Sequence, residues 1–212
     1  MMLATELKLN RAMSWFFGIG ATGFALGSLP FYYQNLPAGL VAATFFVASI
    51  FFTSGGYTQY YLSINTDDTS PRVLFRLGGL SRDGIASIIQ LAGTLFFNIS
   101  TFVPLLGDLS TTQTDRAVWS PDAFGSVAFL VSSIISVQIA RSGSVTDIRV
   151  AVANLMGSVA FGISAIAAFV LPRTDEMISV EAVNLTTFIG AVLFLVGAFM
   201  AYPRDRKLVG TG

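Results

Sequence analysis

The chain of 212 residues contains no histidine and no cysteine. Those absences remove the commonest general base, the commonest transition-metal and haem ligand, and every thiol nucleophile or disulfide. A Ser-His-Asp triad cannot be assembled. No Gly-Lys-Ser phosphate loop is present, and no Gly-x-Gly-x-x-Gly turn follows a strand-like run. The polar residues left inside apolar stretches are uncharged: Gln90, Asn98, Gln138, Asn154 and the Ser132, Ser133, Ser136 group. Such side chains either hydrogen-bond between helices, at about 0.6 kcal/mol each, or line a path for a polar solute. Gln90, Asn98 and Asn154 are the candidates for the second role. Asn98 is foremost, because it lies mid-span in a Phe-rich run. The charged residues all read as loop residues or helix ends. Ser120-Pro121-Asp122 reads as a helix start with Asp122 facing the positive helix end, and Asp83 and Asp147 read as N-caps. No catalytic residue, cofactor or metal is expected, and the chain does not read as an enzyme.

Hydropathy sets the elements that carry these residues. Hydrophobic residues make up 53% of the chain and charged residues 11%, with a mean hydropathy of +0.70. A soluble domain carries about 25% charged residues, so this surface is made for lipid. Twelve Lys and Arg balance twelve Asp and Glu, so no net charge draws the chain to nucleic acid. Six apolar stretches, near 12–33, 38–62, 84–106, 120–141, 148–171 and 183–202, reach the ~20 residues a crossing helix needs. The expected fold is all-α: a polytopic bundle of six transmembrane spans built from antiparallel hairpins. The first hairpin is 12–62, the second 84–141 and the third 142–203, with a loop at 63–83 and tails at 1–11 and 204–212. Prolines fall in loops or at helix ends, with Pro104 in the last turn of the third span. Ten Lys and Arg lie on the side of the termini and only Arg116 and Arg173 on the other. The positive-inside rule then places both termini in the cytoplasm of a cell-membrane protein. Lys8 and Arg11 before an apolar run also describe a signal peptide, but without a clear Ala-x-Ala site the first span is expected to be retained.

A repeat runs through the spans. Gly93, Gly125, Gly157 and Gly190 are each followed after four residues by Phe97, Phe129, Phe161 and Phe194, and after seven by Ser100, Ser132, Ser164 and Gly197. Gly20, Phe24 and Gly27 form a fifth copy, whereas the second span offers a degenerate one around Phe45, Ala48 and Ser49. The three positions share one helix face. A ring from one helix can therefore lie over a neighbour's glycine, which is how helices pack in lipid. Three residues before the repeat glycine stand Gln90, Asp122, Asn154 and Thr187. This pattern resembles the Gly-x-x-x-Phe-x-x-Gly/Ser signature of YrhK-like bacterial membrane proteins. The stretches 90–101 and 119–133 are also similar to multispan proteins of actinobacteria. The resemblance covers spans three to six; it implies a membrane location and carries over no functional residue.

The 63–83 loop reads as a short interfacial helix, with Arg72 and Arg76 on one face and Phe75 among its apolar residues, which serves either as a simple membrane anchor or as a docking element for a partner. The leading expectation is a non-enzymatic structural or assembly protein. Its partners would be the lipid bilayer and either a second copy or another membrane protein, through the small-Phe-small faces. The alternative is a small transporter or channel for a neutral or weakly polar solute.

Overall fold

The structure is a computed structural model that describes residues 4–67, 70–107, 109–171, 173–174 and 176–203. The expected tail at 204–212, with Arg204, Arg206 and Lys207, lies outside the described residues, as do Asp68 and Pro172. In chain order the helices are α1 (Ala4–Gly27), α2 (Pro30–Asn35), α3 (Ala38–Ile64), α4 (Arg82–Phe102), α5 (Thr111–Thr114), α6 (Ser120–Ala140), α7 (Val145–Ala167) and α8 (Val180–Ala201). A two-residue hairpin pairs Val170–Leu171 with Glu176–Met177 ahead of α8.

Serines begin three of the long helices. Ser81 Oγ accepts from Gly84 N, and Ser179 Oγ accepts from Ala182 N. Ser144 and Asp147 form a reciprocal capping box. The expected capping role of Asp83 and Asp147 is thus corrected: both sit in the first turn, and the caps are the serines before them. The first span also ends earlier than 33. Pro30 holds Leu29 in an extended conformation at ψ 130°, which stops α1 and starts α2.

The largest departure concerns α6. Its helical run starts not at Ser120 but at Thr111, behind a capping box of Ser110 and Gln113. A π-turn at Asp115–Trp119 carries the run forward, with Ser120 N and Ser120 Oγ both donating to Asp115 O. Pro121 has no N–H to give, and the wider turn ahead of it absorbs that misfit. Pro121 and Asp122 therefore lie inside a helical run, where the sequence leads one to expect a helix start.

The long helices close into a ring in the order α1, α3, α4, α6, α7, α8 and back to α1. Neighbours alternate in direction, so the start of α1 and the end of α8 share one end of the ring, called here the near end. Large apolar side chains cover the outside: Val47, Leu95, Val131, Met156, Ile163 and Phe199 are all exposed. Such a surface is unsuited to water. Five helical stretches, 38–64, 82–106, 111–140, 145–167 and 180–201, are long and apolar enough to cross a membrane. This fits a multi-pass membrane protein. The sixth ring member, α1, has Glu6, Lys8 and Arg11 in its first turns and falls outside that set.

The expected interfacial helix at 63–83 is absent: the described residues between α3 and α4 are irregular. Side chains of α3 hold the segment open by taking over its backbone groups. Tyr60 Oη accepts from Arg76 N at 2.7 Å and donates to Arg76 O. Asn65 accepts from Val73 N at 2.8 Å and donates to Val73 O at 2.9 Å. A backbone already paired in this way gains nothing from a helix. Arg72, Phe75 and Arg76 consequently do not form a helical face, although all three are exposed at the near end. Tyr60→Phe removes both bonds to Arg76 and should cost about 1–3 kcal/mol. Limited trypsin digestion should then cut faster after Arg72 and Arg76; an unchanged rate would deny that Tyr60 holds the strap.

Candidate functional site

The ring is closed at its centre by one phenylalanine from every member: Phe24, Phe52, Phe97, Phe129, Phe161 and Phe194, none more than 7% exposed. Within each hairpin the rings and small residues lock reciprocally. A methyl added to Gly93 would meet the Phe129 ring at 2.7 Å, and one added to Gly125 would meet Phe97 at 2.9 Å. Gly157 and Gly190 stand in the same relation to Phe194 and Phe161, at 3.0 and 2.5 Å. Gly20 faces Phe52 at 2.5 Å, with Ala48 O at 2.8 Å.

That last pair identifies the register of α3. Its copy of the repeat is Ala48, Phe52 and Gly55, with alanine in the glycine position. The degenerate alignment on Phe45 is corrected accordingly. Phe45 stands three residues before Ala48, where the later helices have polar residues, and its ring covers Gly27. Phe17 on α1 covers Gly55 in return. Antiparallel pairing sets a simple rule: the first repeat position faces the partner's Phe, and the position three before it faces the partner's last small residue.

The rule places the six rings in two layers. With each glycine level with its partner's Phe, rings of rising and falling helices differ by four residues in height, about 6 Å at ~1.5 Å per residue. In the near layer Phe52, Phe129 and Phe194 touch pairwise, with centroids 5.6–6.2 Å apart. In the far layer Phe161 touches Phe24 and Phe97, each at 5.9 Å. Contacts of 5.1–5.4 Å within hairpins join the layers. Tilted and T-shaped aromatic pairs of this kind add about 0.5–1.5 kcal/mol each.

A cavity lies on each side of this plug. The far vestibule has a volume of about 410 Å3 and takes wall residues from all six ring helices, including Phe24, Ser100, Asp122, Ser164 and Thr187. The near vestibule has about 140 Å3 and is lined by Gln59, Gln90, Asn154, Phe194 and Gly197 among others. Both therefore lie on the ring axis. Polar residues at the position three before the glycine meet them: Gln90 and Asn154 at the near end, Asp122 and Thr187 at the far end.

Three of those four residues are also engaged in packing. Gln90 Oε1 accepts from Ser132 Oγ at 3.2 Å, and Ser132 also donates to Ala86 O. Thr187 bonds Ser164 at 2.7 Å. Asn154 Oδ1 lies where a methyl on Gly197 would stand, 2.5 Å from it. Neighbouring hairpins are tied by Ser49 to Thr101 at 2.9 Å and Ser133 to Ser158 at 2.8 Å. Ser136 donates to its own helix and Gln138 accepts from Arg82, so neither belongs to the axis.

Asn98 does not join the solute-path set. Phe97 takes the inward position, and the next residue on a helix is turned about 100° away. Asn98 lines neither vestibule, and its buried Oδ1 has no hydrogen-bond partner. Asp122 is the functional candidate that sequence reasoning passed over, because Ser-Pro-Asp signals a helix start so strongly. Its position in the repeat, shared with Gln90 and Asn154, was the available signal. Arg72, Phe75 and Arg76 lie on the near-end strap, apart from both vestibules. Among the described residues no group of three or more Asp, Glu, His or Cys could hold a metal ion. No protein-family model, curated protein or solved structure matches the chain.

Proposed function

We propose that this integral membrane protein provides a path for a small polar solute along the ring axis, closed in this state by the phenylalanine plug. The observation that carries the reading is the pair of vestibules inside the ring, each with polar side chains on a largely apolar wall, separated by six rings. The small-residue faces do not supply the surface for the alternative assembly role. Gly20, Gly27, Gly93, Gly125, Gly157, Gly190 and Gly197 are each covered by a side chain of this same chain.

In this reading α1 is the sixth span, because it fills the place between α3 and α8 that closes the ring. The near end faces the cytoplasm, since Lys8, Arg11, Arg72, Arg76, Arg82, Arg141 and Arg149 all lie there. The protein sits in the cell membrane and performs no covalent chemistry.

The test is solute uptake by proteoliposomes, followed as light scattering after mixing with urea, glycerol or methylammonium. Purified protein should admit at least one of these faster than empty vesicles do. Asn154→Leu, which fills the near vestibule, should lower that rate several-fold, whereas Asn98→Leu should leave it unchanged. Equal rates for protein-containing and empty vesicles with all three solutes would sink the proposal.

A further inference from the structure

Among the described residues, Asp122 is the only charged one on the wall of the far vestibule. Among the described residues, no hydrogen bond reaches its carboxylate, in contrast to Gln90 and Thr187 at the same repeat position. Packing does not call for an anion here, since asparagine and threonine serve the same place in α7 and α8. Nor does helix capping, because Asp122 lies well inside the helical run. A half-buried carboxyl with no basic neighbour on its wall is satisfied either by a proton or by a cation, and a bound cation favours its charged form.

The rest of the wall fits one. Ser100 and Thr101 donate to Phe97 O, and Thr114 donates to Ser110 O. Ser164 donates to Val183 O. With their protons given to helix carbonyls, these hydroxyls have only lone pairs left to offer a ligand. The remaining surface is largely apolar and aromatic, with Phe24, Tyr33 and Phe45 on the same wall and Asn184 and Thr187 as its other polar residues. Aromatic faces attract organic ammonium groups. A divalent metal would need more oxygen ligands of fixed geometry than one carboxylate supplies. A volume of about 410 Å3 holds a small organic molecule.

We propose that the far vestibule is a binding site for a small organic monocation, an amine in its ammonium form or a quaternary ammonium. Its charge would lie against Asp122 and its alkyl groups against Phe24, Tyr33 and Phe45. The inference rests on the solute-path reading, because it names the substrate class of that path.

The experiment is isothermal titration of the whole protein in detergent with methylammonium and tetramethylammonium chloride, with acetate and glycerol as controls. Saturable binding of at least one cation is expected, and of neither control. Asp122→Asn, nearly identical in shape, should weaken that binding by about tenfold or more, while Asp122→Glu should retain most of it. Circular dichroism and thermal unfolding establish that both variants are folded; Ser100→Ala, a smaller change on the same wall, should weaken binding less. Equal affinity in a folded Asp122→Asn protein overturns the assignment. So does the absence of ammonium binding, and if vesicles still admit glycerol or urea the path stands without this substrate class. Binding lost with Asp122, in a protein that admits no solute to vesicles, upholds the cation site and removes the path.

Discussion

Phe129→Ala should destabilise the protein by about 3–5 kcal/mol and at the same time raise solute entry into proteoliposomes above the parent rate. Phe129 is 1% exposed and stands at a corner of the near layer. Its ring centroid lies 6.2 Å from Phe52, 5.6 Å from Phe194 and 5.1 Å from Phe97 in the far layer. Truncation empties space on the axis, between the two vestibules, and the rigid neighbours cannot collapse into it. Each of them is locked over a small residue of its own partner. Phe199→Ala is the control: that ring is 69% exposed on the outside, and its loss should change stability by less than about 0.5 kcal/mol. Thermal unfolding in detergent and vesicle light scattering check the two arms. A Phe129→Ala protein that is destabilised but no more permeable would reduce the plug to a packing core.

Gly190→Ala should cost about 1–3 kcal/mol, and Gly190→Leu should prevent folding of the third hairpin. A methyl on Gly190 meets the Phe161 ring at 2.5 Å and Gly157 O at 3.0 Å. The ring cannot step aside, because Phe24, Phe97 and Phe194 surround it at 5.3–5.9 Å. The carbonyl can move only if the two helices separate, and close approach is what holds helices together in lipid. Gly162 supplies the contrast. It lies on α7 between two turns of the same helix, and a methyl there would find nothing within 4 Å. Gly162→Ala should therefore be neutral or stabilising by up to ~1 kcal/mol through lower chain entropy. The readout is the unfolding midpoint of each variant in one detergent. Similar midpoints for Gly190→Ala and Gly162→Ala would contradict the reciprocal lock.

Much of the fold was legible in the sequence, and for a physical reason. Lipid imposes a length and an apolarity on every crossing helix, so the apolar stretches, the absence of His and Cys and the Gly-x-x-x-Phe spacing are local properties that a string of residues displays. The inward stripe could be read because i, i+4 and i+7 share a face whatever lies opposite. The sixth copy of the repeat escaped because Ala48 replaces glycine there, and only the approach of Gly20 to Phe52 and Ala48 fixes its register. The partner of each inward residue is likewise a matter of tertiary pairing. The rings form two layers because antiparallel neighbours set each glycine level with a facing Phe.

The site divides in the same way. Gln90 and Asn154 were recognisable as polar residues in apolar helices, and they do meet on the axis. Asn98 is just as polar, yet one residue of helical rotation removes it from both cavities. The strap at 70–81 has the composition of a helix, but Tyr60 and Asn65, at the end of α3, claim backbone groups of Val73 and Arg76 first. Asp122 reads as a first-turn residue because Ser-Pro-Asp is a local helix-start signal, and the capping box that opens the run, at Ser110 and Gln113, lies too far upstream for that signal to register. Composition and spacing thus determined that the chain forms apolar helices with one small-and-aromatic face. The closing of the ring decided which polar side chains look inward, because that depends on rotation and register between helices, and no single helix contains that information.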